Sequence, residues 1–208
     1  RRDGDIILGL AAIATMDPDI RDARAAKLSL VRIADGPYTA EQKLRAYQAL
    51  ADLDIRSDIY ATGAENRLDK AVTLRGENNF HPRYELEERR LKLKQQVLAY
   101  RQGQDNITSL KGVLADYETL IGDKSEFQDL FILDPELRLN TQLEYAGTLL
   151  LEGYFYDYPI ASAIYSGLDQ ALVDQDPQRT WNVAYANALI KARDEFKGVV
   201  NVQVVAFP

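Results

Sequence analysis

The chain has no cysteine, a single histidine (His81), one methionine and one tryptophan in 208 residues. Those absences exclude a cysteine–histidine nucleophilic site, a thiolate zinc site and a multi-histidine metal site within this chain. They also exclude a disulfide framework. There is no glycine-rich phosphate loop, no Gly-x-Ser-x-Gly elbow and no dinucleotide fingerprint. Twelve glycines and seven prolines are too few for a fibrous or disordered chain. No apolar run reaches the ~18 residues of a membrane-spanning helix. The nearest, residues 6–14, follows a flank, Arg1 to Asp5, that carries no net charge. It reads as a buried helix rather than a signal-peptide core. With Met16 the only methionine, Arg1 is not expected to be a translational start.

What remains for chemistry is carboxylates, lysines, tyrosines and hydroxyls, and no motif gathers them. The sequence therefore predicts no metal and no cofactor. Apolar residues make up 46% and charged residues 27%, the balance of a soluble globule able to bury a core. The net charge of −7 is unevenly spread. Residues 1–104 carry 18 Lys/Arg against 16 Asp/Glu, whereas residues 105–208 carry 7 against 16. An acidic half of that kind repels phosphates, so nucleic acid is not an expected partner. It suits contact with a basic protein surface, including that of a second copy; two differently solvated halves of one fold would show the same split.

Helix signals recur along the chain. Asp17-Pro18, Asp134-Pro135 and Asp176-Pro177 each combine a capping carboxylate with a proline whose missing N–H costs nothing at a first helical position. Thr39 and Gln42 form a capping-box pattern. The expected helices are 4–15, 18–34, 39–52, 56–70, 82–102, 107–121, 125–132, 135–152, 160–172 and 177–197. Residues 71–80 read as a loop, with Gly76, Asn78 and Asn79 in it. In the charged helix from Pro82, Leu86, Leu93, Val97 and Tyr100 make a narrow apolar stripe suited to an outer position. Glu85–Arg89 and Glu88–Lys92 are spaced as i,i+4 pairs. Residues 135–152 are apolar nearly all round and predict a central helix. Gly147 and Gly167 are placed for close backbone approach. The last helix puts Trp181, Ala184, Tyr185, Ala188, Leu189, Ala192 and Phe196 on one face.

Residues 143–177 resemble a tetratricopeptide repeat: an apolar helix, a glycine–aromatic turn, an alanine-rich second helix and a closing Pro177. Ile164 stands where that repeat has a small residue, the proline falls one position late, and no second copy aligns at a period of ~34 residues. The pattern implies helical hairpins packed side by side, not membership of that family.

Candidate sites are few. His81 and Glu85 share a helix face as two ligands without a third or fourth; a histidine capping the helix is the simpler account. Asp52, Asp54 and Asp58 begin like a calcium loop but lack its glycine and closing acid, and Asp174-x-Asp176 is a helix junction. Asn106-Ile107-Thr108 fits a glycosylation sequon at a helix start. The aromatic run Tyr154, Phe155, Tyr156 and Tyr158 offers rigid contact area with hydroxyls, suited to a protein or sugar surface or to a turn capping the core. Residues 199–208 are β-branched and partly alternating. Val200, Val202, Val204 and Ala206 share one face of the only strand candidate, whose sole internal partner would be 71–74. Otherwise the strand would add to another chain's sheet edge.

The sequence thus predicts an all-α protein of about nine or ten helices, a multi-helix bundle or stacked helical hairpins. Residues 1–198 form one helical domain with a possible sub-boundary at 71–81, and 199–208 a C-terminal strand or extended arm. It favours a non-catalytic structural or interaction subunit of a larger assembly, such as a ring or virion component, with a protein partner or a homo-oligomer. A helical ligand- or glycan-binding protein using Tyr154–Tyr158, and a carboxylate-dependent enzyme, are the competing classes.

Overall fold

Several helices in this chain begin where a side chain can satisfy their first amides. Thr39 Oγ1 accepts from the Gln42 amide at 3.2 Å while Gln42 Oε1 accepts from the Thr39 amide at 3.3 Å, closing the capping box. Asp134 accepts from the Leu137 amide and Asp176 from the Gln178 amide. His81 is itself a cap: its Nδ1 accepts from the Arg83 amide at 3.2 Å, with Pro82 at the first helical position.

A computed structural model describes residues 2–16, 20–56, 61–103, 107–150 and 158–195. The described residues are all-α, with eleven helices. These are α1 Arg2–Met16, α2 Ile20–Asp35, α3 Ala40–Arg56, α4 Ala61–Gly76, α5 Pro82–Arg101, α6 Ile107–Ile121, α7 Gln128–Leu133, α8 Pro135–Leu149, α9 Tyr158–Ser166, α10 Gln170–Val173 and α11 Pro177–Glu195. None is long and apolar enough to cross a membrane among the described residues. The chain divides into two compact units, 1–110 and 111–208, with the boundary inside α6.

In the first unit each helix from α1 to α4 packs on its successor, α1 also packs on α3, and α3 on α5. That places α1, α3 and α5 in one layer and α2 and α4 in the other. Helix α3 meets all four of the others, and its sequence shows why. It carries two buried stripes at helical spacing. Gln42, Ala46, Leu50 and Leu53 face α1 and α2, joining Leu8, Ala11, Ala26, Leu30 and Ile33 in one core. Leu44, Gln48 and Ala51 turn the other way, Ala51 packing with Ala64, Leu68 and Leu91 of α4 and α5. Small residues set close spacing: a Cβ at Gly4 of α1 would lie 2.7 Å from the Gln42 side chain.

The second unit centres on α8, which packs against α7, α9 and α10. Leu139, Val173 and Val183 form its core, with Leu143, Tyr165, Leu168 and Leu172 against them. Tyr117 of α6 stacks on Tyr145 of α8 with ring centroids 5.8 Å apart.

Several sequence expectations change here. Residues 71–76 are helix, not loop. Ala64, Leu68 and Ala71 are one buried stripe at i, i+4, i+7, so the apolar residues near 71–74 serve a helix and offer no strand partner. Helix α5 buries more than its narrow apolar stripe, with Leu91, Leu98 and Ala99 buried besides Leu86 and Leu93. It lies against α3 and α4, and Glu88 and Arg90 are buried on it because each has an ion-pair partner. The Glu85–Arg89 pair forms at 2.8 Å, but Glu88 turns to Arg75 rather than Lys92. The expected helix 160–172 breaks in two. Gly167 bonds back to Ala163 and Ile164, and Asp169 caps α10. Gly147 has open space where its Cβ would be, and a Cβ at Gly167 would meet only the preceding turn's own carbonyls. Neither mediates a close crossing. On α11 the buried face is Val183, Ala186 and Ile190, one step round from the predicted one, leaving Trp181 58% exposed and stacked on Tyr185. Helix α1 buries Leu8 and Ala11 among its described side chains, while Ile6 and Leu10 are exposed.

Candidate functional site

The α2–α3 turn shapes one concavity of the first unit. A side chain at Gly36 would put its Cβ 2.4 Å from the Arg32 carbonyl oxygen, so only glycine lets the chain turn this sharply. The turn brings the start of α3 back over the end of α2. The Tyr47 hydroxyl then donates to the Ala34 carbonyl at 3.4 Å. Helix α4 closes the other side. Between them lies an open groove of about 420 Å³ lined by Ala34, Lys43, Tyr47, Asp69, Lys70, Thr73 and Leu74.

Its floor is apolar, made by Ala34, Leu74 and the Tyr47 ring. Its polar groups are two lysines, one aspartate and one threonine. Lys70 Nζ stands 5.4 Å from the Tyr47 ring centre, a cation–π arrangement. Thr73 Oγ1 donates to the Asp69 carbonyl at 2.9 Å. Neither Lys43 nor Lys70 has an ion-pair partner among the described residues.

Many other charges in this unit are paired, although Arg24, Arg32, Lys92 and Arg101 also have no ion-pair partner among the described residues. Asp54, almost wholly buried, receives Lys27 at 2.6 Å and Arg67 at 2.8 Å, joining α2, α3 and α4. Asp52 receives Arg56 at 2.6 Å and Lys94 at 2.9 Å, joining α3 to α5. Arg75 reaches Glu88 at 3.0 Å and Glu85 at 3.5 Å, joining α4 to α5. Glu88 hydrogen-bonds the Arg75 guanidinium and raises its pKa above the ordinary value, against the opposing effect of burial. Tyr84 donates to Glu41 at 2.5 Å; burial and that carboxylate push its hydroxyl up to about 12. The Tyr165 hydroxyl in the second unit is pushed up to about 12 by burial.

Asp52 gives a testable pH dependence. Burial works to raise its carboxyl, but Lys94 and Arg56 outweigh burial and hold it below its ordinary value of 3.8. A carboxyl depressed in the folded state adds stability in full above its unfolded value and loses it as pH falls through the folded one. Asp52→Asn should therefore flatten the acid limb of stability as pH falls through and below the ordinary carboxylate range. Urea midpoints across that range measure it; a limb as steep as wild type would show that Asp52 carries none of it.

The positions singled out from sequence fall elsewhere. Tyr154, Phe155 and Tyr156 lie outside the described residues, and Tyr158 opens α9 with its side chain outside them. Val200, Val202, Val204 and Ala206, with the whole segment 199–208, also lie outside. His81 and Glu85 are each engaged, the first in capping and the second by Arg89 and Arg75. Asp52 and Asp54 face cations rather than a shared cavity. Among the described residues no group of three or more His, Asp or Glu is placed to hold a metal ion. The groove escaped the sequence reading. Lys43 and Tyr47 at i,i+4, and Lys70, Thr73 and Leu74 one turn apart, were visible as helix-face neighbours, but nothing in the sequence pairs the two faces. Comparison with protein-family models, curated proteins and solved structures returns no match.

Proposed function

We propose that the protein is a non-catalytic structural or interaction subunit of a larger protein assembly. The observation that carries this reading is the exposure of apolar side chains on α1. Ile6 and Leu10, one turn apart on the same face, are 60% and 61% exposed on a helix whose other side is packed into the core. An apolar face of that kind is suited to contact with another protein. The charge distribution supports the same reading. Residues 1–110 carry 18 Lys/Arg against 17 Asp/Glu, and residues 111–208 carry 7 against 15. The carboxylates a hydrolytic site would use, Asp52, Asp54, Glu85 and Glu88, are instead ties between helices.

The native mass tests this. Light scattering on eluted full-length chain, from micromolar concentration upward, should give a multiple of the chain mass that grows with concentration. A mass fixed at one chain over the whole range would sink the self-assembling form of the proposal.

A further inference from the structure

We infer that the Lys43/Lys70 groove of one copy receives the Ile132–Leu133 corner of a second copy, with Asp129 and Glu136 facing the two lysines. The inference rests on the assembly reading above and names the surfaces that meet.

The groove defines what can fill it. Two ammonium groups stand over an apolar floor without a carboxylate partner among the described residues. Eight other cations of the same unit, Lys27, Arg45, Arg56, Arg67, Arg75, Arg89, Arg90 and Lys94, have one, whereas Arg24, Arg32, Lys92 and Arg101 do not; what sets Lys43 and Lys70 apart is that both line one apolar groove, beside a single acid, Asp69. A complementary surface must bring apolar side chains for Ala34, Leu74 and the Tyr47 ring, and acids for the lysines.

The acidic unit displays such a surface. Leu133 and Ile132, at 81% and 71% exposure, are the two most exposed large apolar side chains among the described residues. They sit at the end of α7, where the chain turns into α8. Asp129 precedes Ile132 by three residues and is exposed; Glu136 follows Leu133 by three, is 55% exposed and also meets Arg179 at 2.7 Å. The corner is held firmly from behind. Phe127 and Phe131 are each 2% exposed, and Asp134 caps α8 directly after Leu133. A corner fixed before contact loses little conformational freedom on docking. Groove and corner are different patches, so the contact is heterologous. Each copy keeps one unused groove and one unused corner, and the assembly grows into a ring or a filament.

Sedimentation velocity on full-length chains tests it. One variant, Lys43→Glu with Lys70→Glu, loses the groove; a second, Ile132→Ser with Leu133→Ser, loses the corner. Each alone should associate at least about 10-fold more weakly than wild type. Mixed in equal amounts they should form a dimer that grows no further, because the intact corner of one meets the intact groove of the other. Circular dichroism checks that each is folded. Lys70→Glu alone, at an exposed position, replaces the double variant if half-buried Lys43 does not tolerate reversal. If wild type assembles and the variants assemble equally well, the groove–corner contact is overturned and the assembly reading stands. A mixture that stays monomeric also overturns it. Wild type that remains a single chain at every concentration overturns the groove–corner contact together with the self-assembling form of the assembly reading.

Discussion

Asp54→Ala should destabilise residues 1–110 by about 3–5 kcal/mol, the usual cost of removing one partner from a buried ion pair. Asp54 is 5% exposed and holds both Lys27 and Arg67. The two cations respond differently to its loss. The Lys27 side chain is 45% exposed and can swing its ammonium into water. The Arg67 side chain is 22% exposed, and its Nη1 is already buried without a hydrogen-bond partner. Arg67 therefore carries most of the penalty, and Arg67→Met in the Asp54→Ala background should recover a large part of it. Urea unfolding followed by far-ultraviolet dichroism measures both. A loss within the ~0.5 kcal/mol of ordinary surface substitutions would mean that the carboxylate ties nothing together.

Leu139→Ala should cost the second unit about 2–5 kcal/mol. Leu139 is 2% exposed and packs with Val173 and Val183 where α8, α10 and α11 meet. Trp181, the only tryptophan, lies in the same unit, so its fluorescence follows this unfolding apart from that of residues 1–110. Leu168 and Leu150, on the cleanest apolar faces in the sequence, are only half-buried and should cost less. Leu150 caps the end of α8, and Leu168 stands in the break between α9 and α10. An effect at Leu139 no larger than at Leu168 would show that the core of this unit lies elsewhere.

Helix class and most helix starts were legible because caps are local. Asp134-Pro135, Thr39 with Gln42, and His81-Pro82 each act within three residues, and chemistry at that range can be read along the chain. Neighbour choice was not legible. Glu88 has Lys92 at i+4, yet it pairs with Arg75, which only the packing of α4 on α5 brings near. The charged surface of α5 looked like a solvated face because a buried charge and an exposed one have the same letter. The α11 stripe was misjudged by one step because alanines lie on both sides, and Ala186 sits as well in a core as Ala184 does in water. The groove failed to show for the same reason as the Glu88 pair: Lys43 and Lys70 are 27 positions apart and meet only across two helices.

The staggered layering of α1 to α5 also bears on how this unit comes into being. Each of its principal helix contacts joins a helix to the next or the next but one. No distant part of the chain has to be found before packing begins, so each loop that closes is short and its entropic cost small. Topologies of this kind fold quickly, and they leave little time for exposed apolar stripes such as Ile6 and Leu10 to meet the wrong surface. The two-sided helix α3 is then the natural nucleus. Neither core of the unit can form without it, and both can grow outward from it once it is in place.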